Sequence, residues 1–129
     1  MAMTNKKPYD ISISVDTRFL DDQSAPHENR YAFAYRITIA NHGTVGARLL
    51  SRHWIITDAN GKVNEVRGDG VVGEQPWVRP GEGYEYTSGA VIETDLGTMR
   101  GSYQMEADDG TQFDAMIPTF VLTTPRTLH

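Results

Sequence analysis

The chain has 129 residues, with 12 Lys and Arg against 17 Asp and Glu, so its formal net charge at pH 7 is −5. It contains no cysteine, which excludes a disulfide framework, a thiolate nucleophile and a cysteine-ligated metal. The acidic balance argues against a broad positive surface for duplex nucleic acid. No segment approaches the ~20 consecutive apolar residues of a membrane span, so we expect no membrane insertion.

The organisation of the chain is predicted to be simple. We expect a flexible tail over residues 1–8, one domain over 9–123 and a second tail over 124–129. Roughly two thirds of the surface of a domain of this size is buried on folding, which gives a core that needs no metal. A signal peptide would require an apolar run after its basic residues, and no such run follows Lys6 and Lys7. Together with the lack of cysteine, this favours a cytoplasmic location.

Apolar and polar residues alternate along most of the chain, which is typical of half-buried strands. The pattern predicts strands over 11–19, 31–40, 45–57, 62–67, 84–87, 99–107, 113–117 and 120–122. Turn residues separate several of them, and Asn60-Gly61 is the strongest hairpin signal. Pro76 to Gly81 reads as a loop. Two packed antiparallel sheets, an immunoglobulin-like β-sandwich, are the economical all-β fold at this length, and a small barrel is the alternative.

The strand over 45–57 has apolar residues in both alternating sets. A β-bulge part-way along it, which switches the inward face, accounts for this pattern. We expect Leu50, Trp54 and Ile56 to point inward.

Residues 68–73 match the pattern G-x-G-x-x-G. In dinucleotide-binding folds these glycines let backbone N–H groups approach a pyrophosphate at a helix N-terminus. Here Pro76 follows and prevents a helix, so the glycines are expected to shape a connection between strands. A backbone nest could still hold an anion. The candidate pyrophosphate site consists of Gly68, Gly70, Gly73, Arg67 and Arg79, with Asp69 and Glu74 opposing it.

Metal and catalytic chemistry find little support in the residues. Asp58, Asn60 and Glu65 offer oxygen ligands around a turn, but Asp-x-Asn-Gly is ordinary hairpin chemistry. None of the four histidines is spaced from another as paired ligands are; they are His27, His42, His53 and His129. Ser51 and His53 share a strand face, which does not make a triad. We therefore predict no catalytic residue, no metal site and no cofactor.

Four aromatic residues cluster in the second half of the chain, near the glycine motif: Trp77, Tyr84, Tyr86 and Tyr103. Aromatic rings with nearby arginines suit contacts with proteins or ligands. We expect about half of these four rings to fill the core instead.

Segments spread over nearly the whole chain resemble the ApaG family. They are Arg30–Tyr35, Arg52–Asp58, Gly68–Pro76, Pro80–Gly81, Tyr86–Gly89, Gly97–Tyr103 and Ile117–Phe120. One departure is Asp95, where the family often has proline. The resemblance implies a fibronectin type III-like sandwich in a small bacterial cytoplasmic protein associated with cobalt and magnesium resistance or efflux. It also implies a relation to eukaryotic protein-interaction domains and a suggested role of the glycine motif in pyrophosphate binding.

These observations lead to three hypotheses. The first is a non-enzymatic protein-interaction or regulatory module linked to Co²⁺ and Mg²⁺ homeostasis, whose partner is another protein. Because no membrane span is predicted, an efflux role would have to be indirect. The alternative is a binder of a pyrophosphate-containing nucleotide, such as a diadenosine polyphosphate, at Gly68–Gly73. A third is direct binding of Mg²⁺ or Co²⁺ through Asp58 or the histidines.

Overall fold

The computed structural model describes residues 6–125, so most of the two predicted tails, 1–5 and 126–129, lies outside the described residues. The strands are β1 (Ile11–Phe19), β2 (Tyr31–Asn41), β3 (Ala47–Asp58), β4 (Val63–Asp69), β5 (Trp77–Val78), β6 (Gly83–Ile92), β7 (Leu96–Ala107) and β8 (Gln112–Thr123). Two short 3₁₀ turns, at Asp21–Gln23 and Pro26–Glu28, join β1 to β2. None of the helical segments in residues 6–125 has the length and apolar character that a membrane crossing requires.

The strands form two antiparallel sheets that pack as a sandwich. One sheet has three strands in the order β1-β2-β6. The other has five, in the order β4-β3-β7-β8, with β5 paired to β3 on the same side as β4. This architecture confirms the predicted all-β, immunoglobulin-like or fibronectin type III-like sandwich, and the barrel alternative is wrong because the sheets remain separate.

The core lies between the sheets and is built from alternate residues of each strand. On β2 the inward set includes Phe33, Ile37 and Ile39, each at most 1% exposed. On β7 it includes Met99 and Met105, each 1% exposed. Alternation with a period of two sends every second side chain of a strand to the same face. The predicted boundaries of β1 and β2 are therefore confirmed to within one residue.

Aromatic rings occupy the centre of the core. The Trp54 ring packs edge-on against Tyr35, at 5.4 Å between centroids, and against Phe120, at 5.8 Å. The hydroxyls of Tyr86 and Tyr103 share a hydrogen bond across the two sheets. Burial raises the pKa of both phenols and that of Tyr35. Two of the four clustered aromatic residues, Tyr86 and Tyr103, thus belong to the core, as expected.

The predicted bulge in β3 is confirmed, but one inward residue is not. The register of β3 against β7 shifts between Leu49 and Ser51. Trp54 is 2% exposed and Ile56 packs against the core, as predicted. Leu50 was assigned to the core wrongly: Leu49 is the fully buried residue, and Leu50 lines a surface cleft. The extra residue of a bulge leaves the ladder, and here that residue is Leu50.

Three strands are longer than predicted, and one of them, β7, begins at Leu96 rather than at residue 99. β6 runs over Gly83–Ile92 rather than 84–87, because Ser88, Gly89 and Ala90 lack the large apolar side chains that mark a strand. The strands predicted over 113–117 and 120–122 are one strand, β8, which continues through Pro118. Proline is tolerated there because β8 is an edge strand and the β7–β8 register shifts between Met99 and Gly101.

The short strands near the glycine motif lie along one edge of β3. The loop predicted over 76–81 contains the two-residue strand β5, which pairs with Ala47 and Arg48. β4 is an edge strand whose side chains are mostly exposed. The glycine motif therefore connects two segments that lie end to end against β3.

Candidate functional site

The second half of the glycine motif is a two-residue hairpin turn. The Val71 N–H donates to the Glu74 carbonyl at 2.8 Å, and the Glu74 N–H donates to the Val71 carbonyl at 2.9 Å. Between them, Val72 has φ 43° and Gly73 has φ 82°. Positive φ at both central residues is the geometry of a type I′ turn. Val71 is 1% exposed, so its side chain anchors this turn in the core.

The first half of the motif is built around an arginine. Arg52 Nη1 donates to the carbonyl oxygens of Asp69 and Gly70, both at 2.9 Å. A Cβ on Gly68 would lie 2.8 Å from the Arg52 guanidinium, and one on Gly70 would lie 2.2 Å from the Glu74 carbonyl oxygen. Gly68 therefore makes room for the Arg52 guanidinium, and Gly70 allows the Glu74 carbonyl to approach the backbone closely. The glycines shape a connection between strands, as expected.

The five residues of the predicted pyrophosphate site lie in different places. Arg67, on β4, faces the same cleft as Gly68. Gly73 lies in the turn described above, and Gly70 directly precedes that turn. Arg79 lies beyond β5, with its guanidinium carbon 4.9 Å from the centroid of the Trp77 ring. Pyrophosphate binding stays a prediction, with Arg67 and Gly68 as the two residues that the fold brings together.

Two neighbouring clefts lie on the face of the five-stranded sheet that points away from the core, which we call the outer face. The polar cleft has a volume of about 550 Å³ and is lined by Ser51, Arg52, His53, Arg67, Gly68, Asp69, Ser102, Gln104 and Asp114. The aromatic cleft has a volume of about 430 Å³ and is lined by Arg48, Leu50, Trp77, Glu106, Ala107 and Asp108. The β3 bulge separates them, because the successive residues Leu50 and Ser51 line different clefts.

Side chains in the polar cleft bind one another. Ser51 Oγ donates to Gln104 Oε1 at 2.8 Å, and Gln104 Nε2 donates to Ser102 Oγ at 3.0 Å. His53 Nε2 lies 3.7 Å from Glu65 Oε2 and is buried without a hydrogen-bond partner among residues 6–125. The Ser51 hydroxyl is thus hydrogen-bonded to the Gln104 amide rather than to His53. An amide cannot activate a serine nucleophile, because it is not a base.

The aromatic cleft holds an exposed ring in a fixed position. Trp77 is 42% exposed, yet its Nε1 donates to Asp108 Oδ1 at 2.8 Å. The Arg79 guanidinium covers one face of the ring, a cation–π contact. A Cβ on Gly46 would lie 2.8 Å from Trp77 Nε1, so this glycine allows the indole to approach the backbone. The sequence interpretation grouped Trp77 with three other aromatic residues that suit contacts or fill the core. It placed Leu50 in the core, and it missed the contact of Asp108 with the indole because no local signal marks it.

The residues considered as metal ligands serve the fold. Asp58 Oδ1 accepts hydrogen bonds from the N–H groups of Asn60 and Lys62, both at 2.9 Å. This is the side-chain-to-backbone pattern of an Asx turn. His42 Nε2 lies 2.8 Å from Ser12 Oγ. Across the described part of the chain, no group of three or more His, Asp or Glu residues is placed to hold a metal ion.

Comparison with known proteins gives a consistent result. The sequence of residues 21–107 matches the family model of the ApaG domain. The ApaG protein of Stenotrophomonas maltophilia is 61% identical over 127 residues, which cover 98% of this chain and 100% of that protein. The ApaG protein of Thiobacillus denitrificans is also 61% identical, with the same coverage.

Solved structures agree. The crystal structure of the putative ApaA protein from Bordetella pertussis superposes with a TM-score of 0.92 at 49% identity, covering 95% of this chain and 100% of that one. A protein of Archaeoglobus fulgidus has a TM-score of 0.53 at 12% identity, which shows a shared fold alone. The family matches, the identities and the superposition lead to one conclusion: the chain belongs to the ApaG family.

Proposed function

We propose that the chain is a non-enzymatic, cytoplasmic module that binds another protein through the aromatic cleft. The observation that carries the proposal is Trp77, a large ring that is 42% exposed and yet held by a hydrogen bond and a stacked arginine. Tryptophan and arginine are among the residues most enriched at the energetic centres of protein interfaces.

The fixed position of the ring supports recognition rather than a chance exposure. A side chain that is already ordered loses little conformational entropy when a partner covers it. The indole is held from two sides, through Nε1 by Asp108 and over one face by Arg79. Leu50 lines the same cleft and adds apolar surface beside the ring. A partner segment with an apolar anchor residue fits this surface.

The charges around the cleft favour a partner segment of mixed charge. Arg48 and Glu106 are cross-strand neighbours on β3 and β7, and both line the cleft. Asp108 lies at the same end of the sheet. Groups of both signs at the rim of an interface set specificity and association rate more than affinity.

The non-enzymatic part of the proposal is supported by the polar cleft. Its serine and amide side chains are hydrogen-bonded to one another, and the nearest Glu65 carboxylate oxygen lies 3.7 Å from His53. A nucleophile needs a base within hydrogen-bond reach, and Ser51 has an amide there instead.

The link to Co²⁺ and Mg²⁺ comes from the family resemblance. We propose that it is indirect and runs through the bound protein. Removing Trp77 should then impair growth in elevated Co²⁺ as strongly as removing the whole chain, because both changes abolish the same contact.

The test compares three forms of the chain, expressed in cells that lack their own copy. They are the wild type, Trp77→Ala, and Met116→Ala as a matched control, because Met116 is 70% exposed on β8. Proteins captured from Co²⁺-treated cells are quantified and then bound again as purified partners in titration calorimetry. The proposal requires a partner that the wild type and Met116→Ala bind with equal affinity and that Trp77→Ala binds at least tenfold more weakly. A partner bound equally by all three forms would contradict it.

Nucleotide binding remains the second candidate, because Arg67 and Gly68 line one cleft. Its test is titration with a diadenosine polyphosphate while backbone amide NMR shifts are followed. Shifts at Gly68 and Arg67 that saturate would support a site there. Unchanged amides at millimolar ligand would rule it out.

A further inference from the structure

We propose that two copies of the chain pair edge to edge through β4 and form a dimer with a two-fold axis at Val66. This surface is separate from the aromatic cleft, so the inference goes beyond the proposed function. It rests on three properties of β4: free backbone groups, exposed valines and a self-complementary order of charges.

The free backbone groups follow from the hydrogen bonds at the two ends of β4. The Gly70 N–H donates to the Leu50 carbonyl at 2.8 Å, and the Asp58 N–H donates to the Lys62 carbonyl at 3.0 Å. Even-numbered residues therefore direct their backbone groups toward β3. In an antiparallel ladder this direction alternates from residue to residue. The backbone groups of the odd-numbered residues, Val63, Glu65, Arg67 and Asp69, therefore point to the outer edge. Among residues 6–125 they have no backbone partner there, and the Asp69 carbonyl accepts a hydrogen bond from the Arg52 side chain.

The side chains of β4 leave this edge accessible. Val63 is 55% and Val66 is 40% exposed, and every residue of the strand except Gly68 is largely accessible. The opposite edge of the same sheet, β8, is interrupted by Pro118. Proline and irregularity protect an edge from pairing, and β4 runs for seven residues without either.

The order of charges selects one register. With Val66 on the axis, Glu65 lies opposite Arg67 of the second copy, and the reciprocal pair repeats on the other side. Val66 faces Val66 of the second copy, and Asn64 faces Gly68 of the second copy. Opposite charges placed directly across two strands are stabilising and like charges are destabilising. An interface of this kind is isologous, because the same residues serve both copies.

Other registers are unfavourable. A shift of two residues in one direction places Glu65 against Glu65 of the second copy, and in the other direction it places Arg67 against Arg67 of the second copy. A shift of one residue sets a free backbone group against one already bonded to β3. Pairing at Val66 uses all seven residues of β4 and joins two five-stranded sheets into one.

The first test exchanges the charges. Glu65→Arg, Arg67→Glu and the double variant are compared with the wild type by sedimentation equilibrium, with circular dichroism to confirm folding. Each single change places like charges across the axis, so we expect the dimer dissociation constant to rise at least tenfold. The double variant restores opposite charges and should return to within about threefold of the wild type. A monomeric wild type, or a double variant as weak as the singles, would overturn the proposal.

The second test uses the absence of cysteine from the chain. In the proposed register Val66 forms a non-hydrogen-bonded pair with its copy, with Cα atoms about 4.5 Å apart, within the range of a disulfide. Val66→Cys should therefore give a covalent dimer under mild oxidation. Val63→Cys is the control, because Val63 and its copy would be separated by six residues along the strand, or about 20 Å. Equal cross-linking of both variants, or of neither, would refute the two-fold axis at Val66.

Discussion

The two tryptophans of this chain lie on opposite faces of the same sheet and have opposite surroundings. Trp54 is 2% exposed, and aromatic rings contact it from both sheets. Its Nε1 is buried without a hydrogen-bond partner among the described residues. Trp77 is 42% exposed, and its Nε1 is bonded to Asp108.

The comparison separates stability from recognition. Around Trp54, aromatic rings fill the space between the sheets, but the indole N–H is left unpaired. Burying that N–H costs about 1–3 kcal/mol. Around Trp77 the polar atom is satisfied and the apolar ring is left open. The first arrangement stabilises the fold, and the second presents a surface. Four predictions test this division, from the largest expected effect to the smallest.

Truncating the buried ring should cost the most. Trp54→Ala leaves a large cavity between the sheets, and we expect the free energy of unfolding to fall by about 3–5 kcal/mol. Trp77→Ala should cost no more than about 1 kcal/mol, because the ring is surface-exposed. Urea denaturation of both variants measures the difference. Equal losses would mean that the two tryptophans do not differ as described.

The hydrogen bond between Tyr86 and Tyr103 should stabilise the core in which Trp54 lies. Tyr103→Phe leaves the buried Tyr86 hydroxyl without its partner, at a cost of about 1–3 kcal/mol. Changing both residues to Phe should recover part of that loss, because no polar group is then stranded. A double-mutant cycle of unfolding free energies reports the coupling. Strictly additive losses would show that the two hydroxyls are independent.

Alkaline pH should lower the free energy of unfolding through the buried tyrosines of the core. Burial raises the pKa of Tyr35, Tyr86 and Tyr103 in the folded chain. The unfolded chain then loses protons first, at the ordinary tyrosine value of about 10, so stability is retained below that pH and falls as pH rises above it. Unfolding measured between pH 8 and 11 should show this decline. The Tyr86→Phe, Tyr103→Phe double variant should decline less steeply, and an identical slope would contradict the assignment.

Loosening the exposed ring should have the smallest effect on stability. Asp108→Ala removes the acceptor of the Trp77 indole N–H, at a net cost of about 0.5 kcal/mol, the low end for a hydrogen bond, because this bond lies at the surface. Asp114→Ala is the control, because Asp114 lines the polar cleft instead. We expect Asp108→Ala, and not the control, to weaken partner binding and to change the acrylamide quenching of Trp77 in a Trp54→Phe background. Unchanged quenching would mean that Asp108 does not hold the ring.

Much of the fold was predictable because it depends on a local signal. Alternation identifies β1 and β2, and the breakdown of alternation in β3 identifies its bulge. The failures occur where the signal is weak. Leu49 and Leu50 are adjacent and equally apolar, so only the register against β7 decides which of them is buried. In β6, the run Ser88-Gly89-Ala90 pairs with β2 without any large side chain to mark it.

The candidate site was less predictable because its contacts are long-range. Trp77 and Asp108 are 31 residues apart in the chain, and an acidic residue in a turn has no feature that points to a distant indole. The glycine motif had the opposite problem. Its pattern suggested a phosphate site, whereas the carbonyl oxygens of Asp69 and Gly70 bind a guanidinium of β3.

The contact between Gly68 and Arg52 has an evolutionary consequence. Because a Cβ at Gly68 would lie 2.8 Å from the guanidinium, substitution of the glycine should be accepted only together with a change at Arg52. The two positions should therefore covary among relatives, although they belong to different strands. Gly68 of the glycine motif would then be maintained by selection on Arg52, which lies outside the motif.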